Sequence, residues 1–110
     1  MKCAKEVVNQ WTVSTEERYK KDLANMVERL TEKLFALASK GENEIPSVEV
    51  WTSGITNGRS GAVKIRLCGD KQYLHVVIWE DFLAIMEVLC YRVVKEPYCS
   101  IYKITPSPSC

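Results

Sequence analysis

The sequence lacks the residue patterns that most metal and catalytic sites require. Histidine occurs once, at position 75, so no pair of histidines can bind a metal. The five cysteines are dispersed, and no two have the two-residue spacing of zinc or redox pairs. We therefore expect no metal site and no cofactor, and we expect that the protein is not an enzyme.

An excess of charge of one sign is also absent. The 15 basic and 14 acidic residues give a net charge of +1, so no overall field attracts nucleic acid or an anionic membrane. No apolar run reaches the roughly 18 residues of a membrane span, and the first residues lack the apolar core of a signal peptide. The odd number of dispersed cysteines favours reduced thiols. We predict a cytoplasmic protein that binds no membrane.

The length of the chain limits the number of domains. The 110 residues are enough for one hydrophobic core and too few for two. The apolar fraction of 46% and the charged fraction of 26% are ordinary values for a globular protein. We expect one domain over residues 1–105, followed by a flexible Pro/Ser tail over residues 106–110.

The longest regular pattern is that of an amphipathic helix. Apolar residues recur at steps of three and four from Tyr19 onwards. The run Ser14-Thr15-Glu16-Glu17 has the pattern of a capping box, and Gly41 fits a left-handed stop. These signals predict a helix over residues 15–40, with a short separate helix over residues 4–12.

Glycine is scarce, and three of the five glycines lie in TSGITNGRSGAV, residues 52–63. A phosphate-binding loop needs a different spacing, a lysine and a following helix, whereas a β pattern follows here. Asn57-Gly58 favours a type I′ turn, so we interpret the segment as the tip of a β-hairpin. The predicted cross-strand pairs are Val48–Leu67, Glu49–Arg66, Val50–Ile65, Trp51–Lys64 and Thr52–Val63.

The remaining segments complete a two-layer fold. Residues 72–79 alternate as a third strand, residues 81–95 have a helical pattern with Asp81 as N-cap, and residues 98–104 are a fourth strand. The sequence thus predicts an α+β two-layer sandwich of order α-β-β-β-α-β, an antiparallel meander with the helices on one face. With a connection of two or four residues before the third strand, Leu74, Val76 and Ile78 point inward.

The outer sheet face carries the most informative residues. By alternation we expect it to hold Glu49, Trp51, Lys64, Arg66, Tyr73, His75, Val77 and Trp79. Aromatic and basic side chains together are typical of proteins that bind single-stranded nucleic acid, but an apolar face is also typical of a protein interface. The predicted partner-binding residues are Trp51, Lys64, Arg66, Tyr73, His75 and Trp79, with Asn57 and Arg59 at the hairpin tip.

Three functional hypotheses follow from these observations. The leading one is a small non-enzymatic interaction protein of the inhibitor or adaptor type, such as phages and mobile elements encode, acting as a homodimer. Its self-association is expected through the second helix or the outer sheet face. The alternative is a single-stranded nucleic-acid-binding protein that uses the outer face. The third is an enzyme centred on His75 and a cysteine, which need only meet in space.

Overall fold

The computed structural model describes residues 1–41, 43–55, 61–67 and 75–108. The elements are helix α1 (Ala4–Ser39), strands β1 (Val48–Ile55), β2 (Ala62–Leu67) and β3 (His75–Ile78), helix α2 (Trp79–Val88), and strands β4 (Tyr91–Lys95) and β5 (Ile101–Pro106). The strands form one sheet in the order β3-β2-β1-β5-β4, and all neighbours are antiparallel. The predicted α+β class and order of elements are confirmed, and the structure adds a fifth strand.

Helix α1 is continuous over 36 residues, so the predicted break before Ser14 is wrong. Hydroxyl groups at the predicted start bond within the helix instead of capping it. Thr15 Oγ1 donates to the carbonyl oxygen of Trp11 at 2.7 Å, and Ser14 Oγ accepts from Gln10 Nε2 at 3.1 Å. The predicted stop is confirmed, since Gly41 has φ +65° and its N–H donates to Ala38.

The core lies between one face of the sheet and the two helices. Helix α1 contributes five buried residues, all in its second half: Leu23, Met26, Val27, Leu30 and Leu34. They pack against buried Val50, Ile65, Leu67, Val77 and Ile104 of the sheet and against Phe82 and Met86 of α2. Both helices therefore cover the same face of the sheet.

The register between β1 and β2 differs from the predicted one. Val50 faces Leu67, and Trp51 faces Arg66. These pairs are two residues away from the predicted pairs, so each residue keeps its predicted face while its partner changes. The register of the two strands shifts between Thr52 and Ile55, as at a β-bulge. A turn motif gives little information on whether such a bulge is present. The predicted tip, Asn57-Gly58, lies outside the described residues.

Strand β3 has the opposite orientation from the predicted one. Val77 faces Val63 and is fully buried, whereas Val76 faces Lys64 and is 40% exposed. His75 therefore lies on the face that the helices cover. The prediction was wrong because the connection before β3 decides which residues point inward, and one residue more or less reverses every side chain.

Helix α2 is shorter than predicted. It ends at Val88, and Cys90 adopts the left-handed φ of 66° that turns the chain into β4. Val93 is half-buried and Val94 is exposed, an alternation that fits a strand as well as a helix face. Five predicted helical residues therefore pair with β5 instead.

The start of α2 is held by a side chain from α1. Ile78 is the N-cap, and Asp81 lies in the first turn rather than at the predicted cap position. The Tyr19 hydroxyl accepts from the N–H of Ile78 at 3.1 Å and donates to Asp81 Oδ2 at 2.8 Å. This hydroxyl joins the two helices.

Cys90 forms a disulfide bond, whereas Cys3 and Cys99 are free and exposed. The expectation that all thiols are reduced is therefore wrong. The N–H of Ser107 donates to the Cys90 carbonyl at 2.9 Å, which extends the pairing of β4 and β5 beyond Pro106. Ser107, which belongs to the predicted tail, therefore lies against Cys90.

Candidate nucleic-acid interface

The sheet face opposite the helices is called here the open face. Residues directly opposite each other in an antiparallel pair share a face, so the strand registers define its members. They are Glu49 and Trp51 of β1, Ala62, Lys64 and Arg66 of β2, Val76 and Ile78 of β3, Ile101, Lys103 and Thr105 of β5, and Arg92 and Val94 of β4.

In the described part of the chain no helix covers the open face. Trp51 is 42% exposed, Val76 40% and Val94 44%. An antiparallel sheet often has one solvated face, but such a face usually alternates polar residues rather than large apolar ones. The open face therefore carries exposed apolar residues on three of its strands.

Trp51 lies on the central strand of the five, beside a guanidinium group. The Cζ atom of Arg66 is 5.3 Å from the centroid of the indole ring, a cation–π distance. On the other side of β1, Ile101 is the cross-strand neighbour of Trp51. The indole therefore has a neighbour on each side of β1 and is still 42% exposed.

The open face is more basic than the chain as a whole. It carries Lys64, Arg66, Arg92 and Lys103 against the single carboxylate of Glu49, on a chain whose net charge is +1. The cross-strand neighbour of Glu49 is Lys103. The predicted neighbour was Arg66. The positive charge is therefore local and lies on both sides of Trp51.

The structure brings together three of the residues predicted from the sequence, Trp51, Lys64 and Arg66. Trp79 is not with them, because it lies in the first turn of α2 on the covered side. Its ring is 5.3 Å from that of Phe82 and 4.6 Å from that of Tyr102. The other predicted residues, Asn57, Arg59 and Tyr73, lie outside the described residues.

His75 has a different environment from the predicted one. Its Nε2 atom is 3.5 Å from Nη1 of Arg29 in α1. It borders a surface cavity of about 590 Å³ whose other lining residues are Asp22, Asn25, Glu28, Arg29 and Glu32. Over the described ranges, no three histidine, cysteine or acidic residues are grouped to hold a metal ion. The disulfide also removes Cys90 as the nucleophile of a Cys–His pair.

Sequence reasoning missed two cations of the open face. Arg92 was assigned to a helix, and Lys103 was assigned to a strand whose neighbours were unknown. The alternation of Tyr91–Lys95 was the available signal for a strand. With that strand recognised, both cations could have been considered for the same face.

The fold and the site together define a small α+β domain with a basic, tryptophan-centred open sheet face. Comparisons with protein-family models, with curated proteins and with solved structures find no match to this chain. Among the described helices, none has the length and apolarity to cross a membrane.

Proposed function

We propose that this protein binds single-stranded nucleic acid on its open face and is not an enzyme. The observation that carries the proposal is the exposed Trp51 on the central strand, with Arg66 beside it and three further cations on the same uncovered sheet face. Nucleic-acid bases can stack on an exposed indole, and lysine and arginine neutralise the phosphates.

A single strand fits this face better than a duplex. Stacking on a tryptophan needs a base that is free of its own stack, as in single-stranded segments. The cations lie on β2 at one side of Trp51 and on β5 and β4 at the other. With strands about 4.8 Å apart, this arrangement spans about 14 Å across the sheet. A strand crossing the sheet would meet cations before and after the indole.

The position of Glu49 leaves Arg66, the cation beside Trp51, without a carboxylate directly opposite it. In the predicted register Glu49 faced Arg66 and offset its charge. In the structure Arg66 faces Trp51, and Glu49 faces Lys103. Arg66 is thus available to a phosphate, and Arg92 adds a further cation.

The first prediction concerns Trp51. A fluorescently labelled single-stranded oligonucleotide should bind, and Trp51→Ala should weaken binding by about 1–3 kcal/mol, the value of one base stacked on an aromatic ring. Fluorescence anisotropy measures this affinity. The matched control is Phe35→Ala, because Phe35 is a 76% exposed aromatic residue on α1 and should leave binding unchanged. Equal effects of the two changes would contradict the proposal.

The second prediction concerns the cations. For a single strand, each neutralised phosphate contributes about −0.7 to the slope of log affinity against log salt, so four cations should give up to about −2.8. Replacing Lys64 and Arg66 with glutamate should remove at least about half of that slope. Lys20→Glu with Lys21→Glu changes the net charge equally on exposed helix positions and should have little effect.

Protein binding on the same face is the second candidate, favoured by the exposed apolar residues Val76 and Val94. It corresponds to the inhibitor or adaptor hypothesis. In that case oligonucleotide binding should be weak and indifferent to Trp51, while Trp51→Ala should reduce binding to a protein partner, since a central tryptophan is a typical hot spot.

The sequence predicts the cytoplasm as the location, and the state of Cys90 tests that prediction. Disulfides persist mainly in oxidising compartments, so the bond at Cys90 argues against this location. Alkylating agent added to intact native cells before lysis labels reduced thiols. Labelled Cys90 would support the cytoplasm, and labelling only after reduction would place the protein in an oxidising compartment.

A further inference from the structure

The outer half of α1, residues 4–18, projects from the domain without cover. The buried residues of α1 begin only at Leu23. Before that point, Val7 and Val8 are each 57% exposed and Trp11 is 67% exposed. This segment of 15 residues is about 22 Å long at 1.5 Å per residue.

Most of the exposed apolar residues of the outer half lie along one stripe, and Val13 is the exception. Ala4, Val8, Trp11 and Thr15 follow each other at steps of four, three and four, which places them on the same side of the helix. Val7 borders this stripe. A one-sided stripe is typical of a helix that packs against another element. In the described part of the chain, no element covers this stripe.

The composition of the outer half also indicates that it needs a partner. Five of its residues are β-branched: Val7, Val8, Thr12, Val13 and Thr15. Such residues lower helix propensity, and most of the stability of a protein helix comes from packing of its apolar face rather than from propensity. Contact along the stripe would stabilise this helical segment.

We propose that a second copy of this chain covers the stripe, with the two outer halves antiparallel. The spacing of the stripe is symmetric about its midpoint. In an antiparallel pair Val8 therefore meets Trp11 of the second copy, and Ala4 meets Thr15 of the second copy, each contact occurring twice. The larger side chains lie in the two central layers.

Charge selects the antiparallel direction over the parallel one. Lys5 and Glu16 are eleven residues apart, about three turns, so they lie on the same flank of the stripe. Equal flanks meet in an antiparallel pair, which brings Lys5 of each copy to Glu16 of the other. In a parallel pair the flank that carries Lys5 and Glu16 would instead meet the other flank of the second copy, which carries Gln10 and Ser14.

The pairing also fits the shape of the molecule. The overlap covers residues 4–15, and Tyr19, which bonds to Ile78 and Asp81, lies beyond it. The sheets of the two copies therefore lie at opposite ends of the helix pair. The open face takes no part in the contact, so this inference does not depend on the proposed function.

Sedimentation velocity tests the proposal with matched variants. The wild-type chain should be a dimer at tens of micromolar, and Val8→Glu should raise the dissociation constant at least about tenfold because it buries a charge in the contact. Val13 is also exposed, at 48%, but it lies on the opposite side of the helix. Val13→Glu should therefore leave the dimer intact.

Charge reversal tests the direction of the helices. Lys5→Glu and Glu16→Lys should each weaken association several-fold, since each creates two like-charge contacts. An equimolar mixture of the two variants should regain the wild-type affinity, because both contacts are then between opposite charges. A parallel pair predicts no such recovery.

Three results would overturn the proposal. They are a wild-type monomer at tens of micromolar, equal effects of Val8→Glu and Val13→Glu, and no recovery in the mixture. Circular dichroism of every variant checks that α1 remains helical. Trp51→Ala should dimerise as the wild type does, which separates a failure of this contact from a failure of nucleic-acid binding.

Discussion

A single hydroxyl group, that of Tyr19, connects three parts of the fold. It bonds to the backbone N–H of Ile78, at the end of β3, and to the carboxylate of Asp81, in the first turn of α2. The first N–H groups of a helix have no partner within the helix, so such an acceptor replaces the missing side-chain cap. Tyr19 thus determines where α2 begins relative to α1.

Tyr19→Phe removes both hydrogen bonds and keeps the ring. Because the N–H of Ile78 is partly buried, its loss of a partner should lower the free energy of unfolding by about 1–2 kcal/mol. Urea denaturation measures this difference. The control is Tyr98→Phe, since Tyr98 is fully exposed and the same change there should have almost no effect. Equal stabilities of the two variants would contradict the role of Tyr19.

The sequence alone placed single residues on the correct face of the sheet wherever that face did not depend on the length of a loop. Trp51, Lys64 and Arg66 were placed correctly because a register error of two residues preserves faces. His75 was misplaced because its face depends on the connection before β3. No local signal in that segment determines whether the number of connecting residues is even or odd.

Among the elements, the junction between α2 and β4 is the one most sensitive to a single position. Cys90 has a left-handed backbone, with φ 66°, and also carries a disulfide bond. A left-handed conformation costs a non-glycine residue roughly 1–2 kcal/mol. The residue thus stabilises the chain through its sulfur and strains it through its backbone.

Two variants of Cys90 separate these effects. Both Cys90→Gly and Cys90→Ser remove the disulfide, but only glycine relieves the backbone strain, so Cys90→Gly should be more stable by about 1 kcal/mol. Under reducing conditions it should also exceed the wild type. Thermal unfolding with and without reductant measures the three proteins. A serine variant as stable as the glycine variant would show that the backbone is not strained.

The same junction explains the main error in the prediction of elements. Residues 91–95 have apolar and polar residues in an order that fits both a helix continued from α2 and a short strand. The turn at Cys90 is formed by a cysteine, not by the glycine or asparagine that usually marks such a stop. Tertiary pairing with β5 decides the outcome, and a local pattern does not contain that information.

At the scale of the whole molecule, the dimensions are those of an elongated protein. The Cα radius of gyration is 16.6 Å, and the principal extents are 63 × 29 × 29 Å. A compact domain of this length would have a radius of gyration of about 13 Å. The excess comes from α1, whose 36 residues extend about 54 Å. The sequence predicted the second half of this helix well, because it follows the core, but did not predict its continuity.

The continuity of α1 has a consequence for avidity. A dimer joined through the outer halves would hold its two open faces at a fixed separation, because one unbroken helix runs from the contact into each core. From the midpoint of the pairing to the middle of the buried half, α1 rises about 28 Å, so the two domains would lie about 57 Å apart. For a strand long enough to reach both faces, the second binding event becomes intramolecular, and the gain in apparent affinity can reach about 10²–10⁴-fold. Shorter strands would bind each face independently, so the length of α1 would set the minimum length of a nucleic-acid strand that binds tightly.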